Sequence, residues 1–197
     1  MISFTLNDNK IVFDGNSELS LLNFLRNEMK ITSVKDGCSA QAACGACMVE
    51  IDGKPRLACA TKMKNIDSST IYTMEGLPDY IKSTLGKAFV EKGAVQCGFC
   101  TPGFIMRTKI LLQNNPNPDL EEIRNALKLN LCRCTGYKKI EDAIQFASKH
   151  IIENKEITAI DHSGKVGTSI PKYDSYNTAI GQRKFVNDII IKGSLHM

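Results

Sequence analysis

The sequence predicts an α+β protein in three parts: a small mixed unit over residues 1–76, an all-α bundle over 77–153 and a polar tail over 154–197. Three observations carry this expectation. Short alternating apolar runs, joined by Asn-Asp and Asp-Gly turns, crowd the first part. Apolar side chains at helical spacing then run through the middle with almost no strand signal. The end of the chain is punctuated by Gly, Ser and Pro and offers little to bury.

Ile2–Leu6 and Lys10–Phe13 alternate around Asn7-Asp8-Asn9, a hairpin signal. Asn16 or Ser17 can cap a helix whose apolar positions include Leu19, Leu22 and Leu25. Met48–Ile51 and Arg56–Ala58 flank Asp52-Gly53 as a second hairpin, and Ser69–Thr73 completes a sheet that the helix can cover. The join falls near Glu75–Pro78. Tyr80–Glu91 then places Ile81, Leu85, Ala88 and Phe89 on one face. Thr101 reads as an N-cap with Pro102 at the first helical position, leading into Phe104–Gln113. Asn117 and Pro118 repeat that start, with Glu121 and Glu122 in the first turn and Leu120, Ile123 and Leu127 turned inward. Lys138–Ile152 carries Ile140, Ala143, Ile144, Ala147 and Ile151 at helical spacing, with Lys149 and His150 near its end. Four short amphipathic helices that each hide one face make a bundle. Beyond them only Phe185–Ile191 breaks the polar run, so the tail is expected to lie on another surface.

Hydrophobic residues make up 43% and charged residues 23%, the balance of a soluble globular chain. A formal charge of +4 with no long basic block is too mild to argue for nucleic acid. No secretory signal opens the sequence, and no window approaches the roughly 20 apolar residues of a membrane span. The expectation is a cytoplasmic protein, where thiols stay reduced. Eight cysteines there point to metal ligands before disulfides.

The cysteines fall into two sets. Cys38, Cys44, Cys47 and Cys59 follow the spacing C-x5-C-x2-C-x11-C, within a loop of small residues from Gly37 to Cys47. Small side chains and glycine let a loop wrap tightly round an anionic centre and turn its N–H groups onto the sulfurs. The plant-type two-iron pattern is C-x4-C-x2-C with a distant fourth cysteine, so one extra residue stands in the first gap. The second set is Cys97-x-x-Cys100 and Cys132-x-Cys134, each pair ahead of a predicted helix, so two helix N-termini would face one negative centre. Cys134-Thr135-Gly136 echoes Cys100-Thr101-Pro102-Gly103, as in a pseudo-twofold arrangement. Two oxidised two-iron centres at about −2 each would offset the basic bias. Structural zinc on one or both quartets is the rival, though a C-x-C pair is awkward for a zinc ribbon. A redox dithiol at Cys97 and Cys100 lacks the surrounding βαβ pattern.

With both sets in view, Gly37–Cys47, the Asp52-Gly53 hairpin with Cys59, Gln96–Gly103 and Asn130–Tyr137 resemble the iron–sulfur module of the molybdenum hydroxylases, the xanthine dehydrogenase and aldehyde oxidoreductase family. The resemblance runs unbroken through residues 1–152. It implies a plant-ferredoxin-like β-grasp domain with one 2Fe-2S cluster, then a four-helix-bundle domain with a second. It implies that Cys97, Cys100, Cys132 and Cys134 hold the cluster nearer a molybdenum–pterin cofactor, and Cys38, Cys44, Cys47 and Cys59 the outer one. Gln96 would contact the pterin, against a blander loop-capping role, and Cys134 would lie nearest that cofactor. Partners would be a molybdenum-binding large subunit and a flavin-binding subunit carrying FAD, with xanthine, another purine or an N-heterocycle as substrate. The extra residue among Ser39–Ala43 must bulge, at Ala42 or Ala43. Val166–Asp174 and Ala179–Ile189 resemble the linker and opening of the molybdenum-binding portion in fused members, so residues 160–197 are expected to dock on that partner and add a strand to it.

Nothing in the sequence offers substrate chemistry: there is no G-x-G-x-x-G, no P-loop and no nucleophile–base arrangement, so no catalytic residue is assigned. His150, His162 and His196 read as solvated, and Arg107, Arg124 and Arg133 as surface or cluster-facing charges. A free two-cluster electron carrier is the alternative to a subunit.

Overall fold

The structure is a computed structural model that describes residues 1–158, 163–189, 191 and 193. Strands β1 (Ile2–Leu6) and β2 (Asn9–Phe13) pair antiparallel from Ile2↔Phe13 to Leu6↔Asn9. Asn7 and Asp8 both take positive φ, the two-residue turn whose twist matches that of the strands. Strands β3 (Met48–Ile51) and β4 (Lys54–Leu57) repeat the device around Asp52 and Gly53. Strand β5 (Thr70–Tyr72) runs parallel to β1 and antiparallel to β3, giving an open mixed sheet of order β2-β1-β5-β3-β4.

Helix α1 (Leu21–Asn23) passes directly into a π-turn, Phe24–Glu28. Its cap is Ser20, whose Oγ accepts from the Asn23 N–H at 3.2 Å, and not Asn16 or Ser17 as predicted. Asn16 is spent on a local turn with the Glu18 N–H, while Leu19 and Leu21 bond to the Thr61–Met63 backbone and delay the helix. Leu21, Leu22, Phe24 and Leu25 nevertheless close over the sheet, where Phe24 meets the edges of Phe4 and Phe13 at 5.7 and 5.3 Å.

Helices α2 (Asp79–Glu91), α3 (Thr101–Asn114), α4 (Leu120–Leu127) and α5 (Lys138–Ile152) surround a second core that includes Leu85, Phe89, Phe104, Ile123 and Ile144. Two predicted caps move. Helix α3 starts one residue early, so Cys100 is the cap and Thr101 lies inside. Helix α4 is capped by Asp119, not Asn117. Asp119 accepts from the Glu122 N–H and Glu122 accepts from the Asp119 N–H, both at 2.8 Å, while Asn115 takes the Asn117 N–H.

Strand β3 joins the two cores because both its faces are covered. Val49 and Ile51 face the sheet's own core, Met48 joins the helical core, and Glu50 ion-pairs with Lys109 of α3. The described tail folds back on this chain. Helix α6 (Ser175–Ala179) lies on α2 and α3, with Thr178 and Ala179 fully buried. No strand forms among the tail's described residues; the expected docking segment falls partly on residues 160–162, 190, 192 and 194–197, outside them, as do His162 and His196. His150 is half-buried at the end of α5 and bonds the Phe146 carbonyl at 2.9 Å.

Candidate metal centres

Cys38, Cys44 and Cys47 occupy the loop that enters β3, and Cys59 sits in the turn Ala58–Ala60 that leaves β4. The hairpin register brings the ends of this set together: the Ala58 N–H bonds the Cys47 carbonyl at 3.1 Å. Ser39, Ala40 and Ala42 all take positive φ, so the extra residue is absorbed by a run of left-handed turns that includes the predicted Ala42. Each of these residues carries a Cβ, so the path costs about 1–2 kcal/mol per residue.

The thiols close in twos. Cys38 lies beside Cys44, and Cys47 beside Cys59, with Cys44 and Cys47 within electrostatic reach of each other. Burial raises Cys38, but the N–H groups of Ala43, Cys44 and Gln41 outweigh it and leave the thiol below its ordinary range. Burial pushes Cys47 up to about 12 against the Cys59 N–H.

The second set comes from two loops, one entering α3 and one between α4 and α5. Here Cys100 lies beside Cys132 and Cys97 beside Cys134. Cys100 is pushed above its ordinary range by burial first and by Cys132 next. At Cys132 burial acts the same way, but the Thr135 hydroxyl (3.2 Å) and N–H (3.4 Å) donate to the sulfur and bring the thiol down. Tyr137 braces this loop: its hydroxyl accepts from the Cys132 N–H and donates to the Asn130 carbonyl, both at 3.1 Å. Asn130–Tyr137 entered the sequence reading as part of the family resemblance, but the bracing roles of Thr135, Tyr137 and Asn130 were not read there, because loop hydrogen bonds leave no periodic trace.

Among the described residues no three Cys, His, Asp or Glu side chains converge on a single-ion position. Two thiol pairs per set suit a centre of two iron atoms, each taking two thiolates.

The two sets face each other across one hydrogen bond, Leu131 N–H to the Cys44 carbonyl at 2.8 Å. Asn130 adds a second contact, its side-chain amide donating to the Gly45 carbonyl at 3.2 Å. Cys44 and Cys132 are buried at this seam, whereas Cys97 and Cys134 are exposed. Gln96 is exposed beside Cys97; its backbone carbonyl accepts from Lys172 Nζ at 2.6 Å, and its side chain makes no hydrogen bond among the described residues.

Two family models match the chain. Residues 8–82 match a 2Fe-2S iron-sulfur cluster binding domain, and residues 73–145 match a [2Fe-2S] binding domain. The nicotinate dehydrogenase small FeS subunit of Eubacterium barkeri is 50% identical over 128 residues, which cover 64% of this chain and 81% of that one. The chain is an iron–sulfur subunit of the molybdenum hydroxylase family. Solved structures of the family agree with the fold. Quinoline 2-oxidoreductase from Pseudomonas putida 86 matches with a TM-score of 0.71 at 36% identity, over 78% of this chain and 96% of the matched one. The aldehyde oxidoreductase from Desulfovibrio desulfuricans matches with a TM-score of 0.85 at 33% identity, over 95% of this chain but 22% of that longer one. Within the molybdenum hydroxylases this chain thus corresponds to the 2Fe-2S electron-transfer part, and the substrate site lies on another chain.

Proposed function

We propose that Cys97, Cys100, Cys132 and Cys134 hold the 2Fe-2S cluster nearer a partner's molybdenum–pterin cofactor, and that Cys38, Cys44, Cys47 and Cys59 hold the outer one. The observation that carries this reading is the grouping of the thiols in twos, with two hydrogen bonds joining the two ligand loops. When bound, each cluster supplies one-electron transfer at a fixed position. The chain's own residues set that position. Gly45, Leu131 and Asn130 hold the loops face to face, while Thr135 and the N–H groups around Cys38 favour thiolate. Exposed Cys134 and Gln96 give the second centre an outward side that suits the pterin contact.

The finer domain reading, a plant-ferredoxin-like β-grasp unit over 1–76, a four-helix bundle over 77–153 and a tail over 154–197, draws support from the two hydrophobic cores. Electrons would leave the outer cluster for FAD on a flavin-binding subunit or for another acceptor. Relatives named for nicotinate, nicotine and caffeine favour an N-heterocycle as the substrate of the partner chain. A cytoplasmic place accords with the absence, among the described residues, of any helix long and apolar enough to cross a membrane.

Chain prepared anaerobically should bind about four iron atoms and show two paramagnetic signals after reduction. A colourless protein containing zinc would refute the assignment. The tail also presents Val166, Ile170, Tyr173 and Val186 outward from its docked segment. Covering them with the large subunit would bury apolar area that is otherwise wet. Deleting residues 160–197 should therefore cut recovery of that subunit in co-purification by about tenfold, which corresponds to 1.4 kcal/mol; unchanged recovery removes the tail from the interface.

A further inference from the structure

A buried cation lies beside the loops that carry the two cysteine sets. Lys35 is fully buried although it carries an ammonium group. Its Nζ ion-pairs with Asp188 of the tail, 4.9 Å from the centroid of Phe185 and 6.0 Å from that of Phe99. Asp188 has further partners: Oδ1 accepts from Arg26 Nη2 and Oδ2 accepts from the Phe185 N–H, each at 2.9 Å. The second carboxylate near the ammonium is Glu75, which accepts from the Ser33 hydroxyl at 2.7 Å.

This cage borders both cysteine sets. The Lys35 N–H bonds the carbonyl of Ala46, which lies between Cys44 and Cys47, at 3.2 Å. Phe99, between Cys97 and Cys100, meets Phe185 edge to face at 5.2 Å. A Cβ placed on Gly37 would lie 3.3 Å from the Phe99 ring and 3.2 Å from Cys44 Sγ. The tail presses on the same loop again, since a Cβ on Gly98 would fall 2.0 Å from Thr178 Cγ2. Burial pulls the ammonium below the ordinary lysine range, and the hydrogen bond it donates to Asp188 opposes that. A fold has no packing reason to place lysine where methionine would fit.

We propose that Lys35 is a positioning residue for electron transfer, its buried ammonium held in place by the tail's Asp188 so that it stabilises the added electron on the adjacent centres, that of Cys38–Cys59 above all. This rests on the assignment of the cysteines as 2Fe-2S ligands. No bond forms or breaks in the step concerned. One electron arrives, the centre gains one negative charge, and a fixed cation close by raises the reduction potential. The tail segment Phe185–Asp188 is then part of the redox unit and not only a connector.

The test is a redox titration of the full chain with its clusters, followed by electron paramagnetic resonance, on the unmodified protein and on Lys35→Met, Lys35→Gln and Lys35→Arg. In Lys35→Met, Arg26 and the Phe185 N–H still satisfy Asp188, so the cage can persist; Lys35→Gln retains a hydrogen-bond donor should the apolar variant lose iron. Both neutral variants should make at least one centre about tenfold harder to reduce at the unmodified midpoint, equivalent to 59 mV for one electron. Lys35→Arg should hold both midpoints within about threefold. Unchanged midpoints in the neutral variants, with both signals present, overturn the proposal, as does an equal fall in Lys35→Arg, which would mark a packing effect. Absence of both signals in the unmodified chain would instead refute the cluster assignment.

Discussion

Replacing Cys100 by alanine is expected to remove one iron centre and leave the other, so that bound iron falls from about four atoms per chain to about two. The Cys100 thiol is half-buried beside Cys132 at the mouth of α3. One iron atom would keep a single protein thiolate, too few to retain it. The set of Cys38, Cys44, Cys47 and Cys59 lies on different elements and keeps its own hydrophobic core. Turnover with an acceptor that draws electrons from this chain should stop, while substrate binding on the partner survives. Retention of all the iron would show that Cys100 is not a ligand, and loss of both signals would show that the two units do not fold independently.

Gly45→Ala should destabilise the chain by about 3 kcal/mol or more and loosen the seam between the centres. Gly45 holds φ +68°, and a Cβ there would sit 2.2 Å from the Leu129 carbonyl oxygen and 2.9 Å from Asn130 Cα. Backbone cannot turn aside as a side chain can. The loops must part, and the hydrogen bond from Leu131 to Cys44 lengthens with them. Gly53→Ala is the control: its φ is +74°, yet nothing lies within 4 Å of the added Cβ, so only the left-handed backbone penalty of about 1–2 kcal/mol applies. Denaturant unfolding of the two variants separates crowding from strain. Equal losses at both positions would mean that Gly45 matters for its φ alone.

Local chemistry accounts for most of what was legible beforehand. Both hairpins announce themselves because Asn7-Asp8 and Asp52-Gly53 tolerate the positive φ that such turns require. The helices of the second core follow from apolar spacing, and α5 matches its predicted span from Lys138 to Ile152. Caps were less legible, because Asn16, Thr101 and Asn117 are all good cap residues; at α1 distant backbone contacts favoured Ser20, and at α4 the local capping box of Asp119 with Glu122 won. Helix α1 shrank to a short turn passing into a π-turn for the same reason: Leu19 and Leu21 are bound to the Thr61–Met63 backbone, which no local pattern reveals.

The sequence by itself determined the two cysteine sets, their loops of small residues and the helices behind them, since ligand spacing, turn chemistry and periodicity are properties of neighbouring residues. Tertiary structure alone decided how the thiols pair, that Leu131 reaches Cys44, and that the tail returns to cage Lys35 with Asp188. Those contacts join residues far apart along the chain. They exist because burying two cores against β3 brings the loops together, and a lysine enters such a seam only when a distant carboxylate arrives to meet its charge.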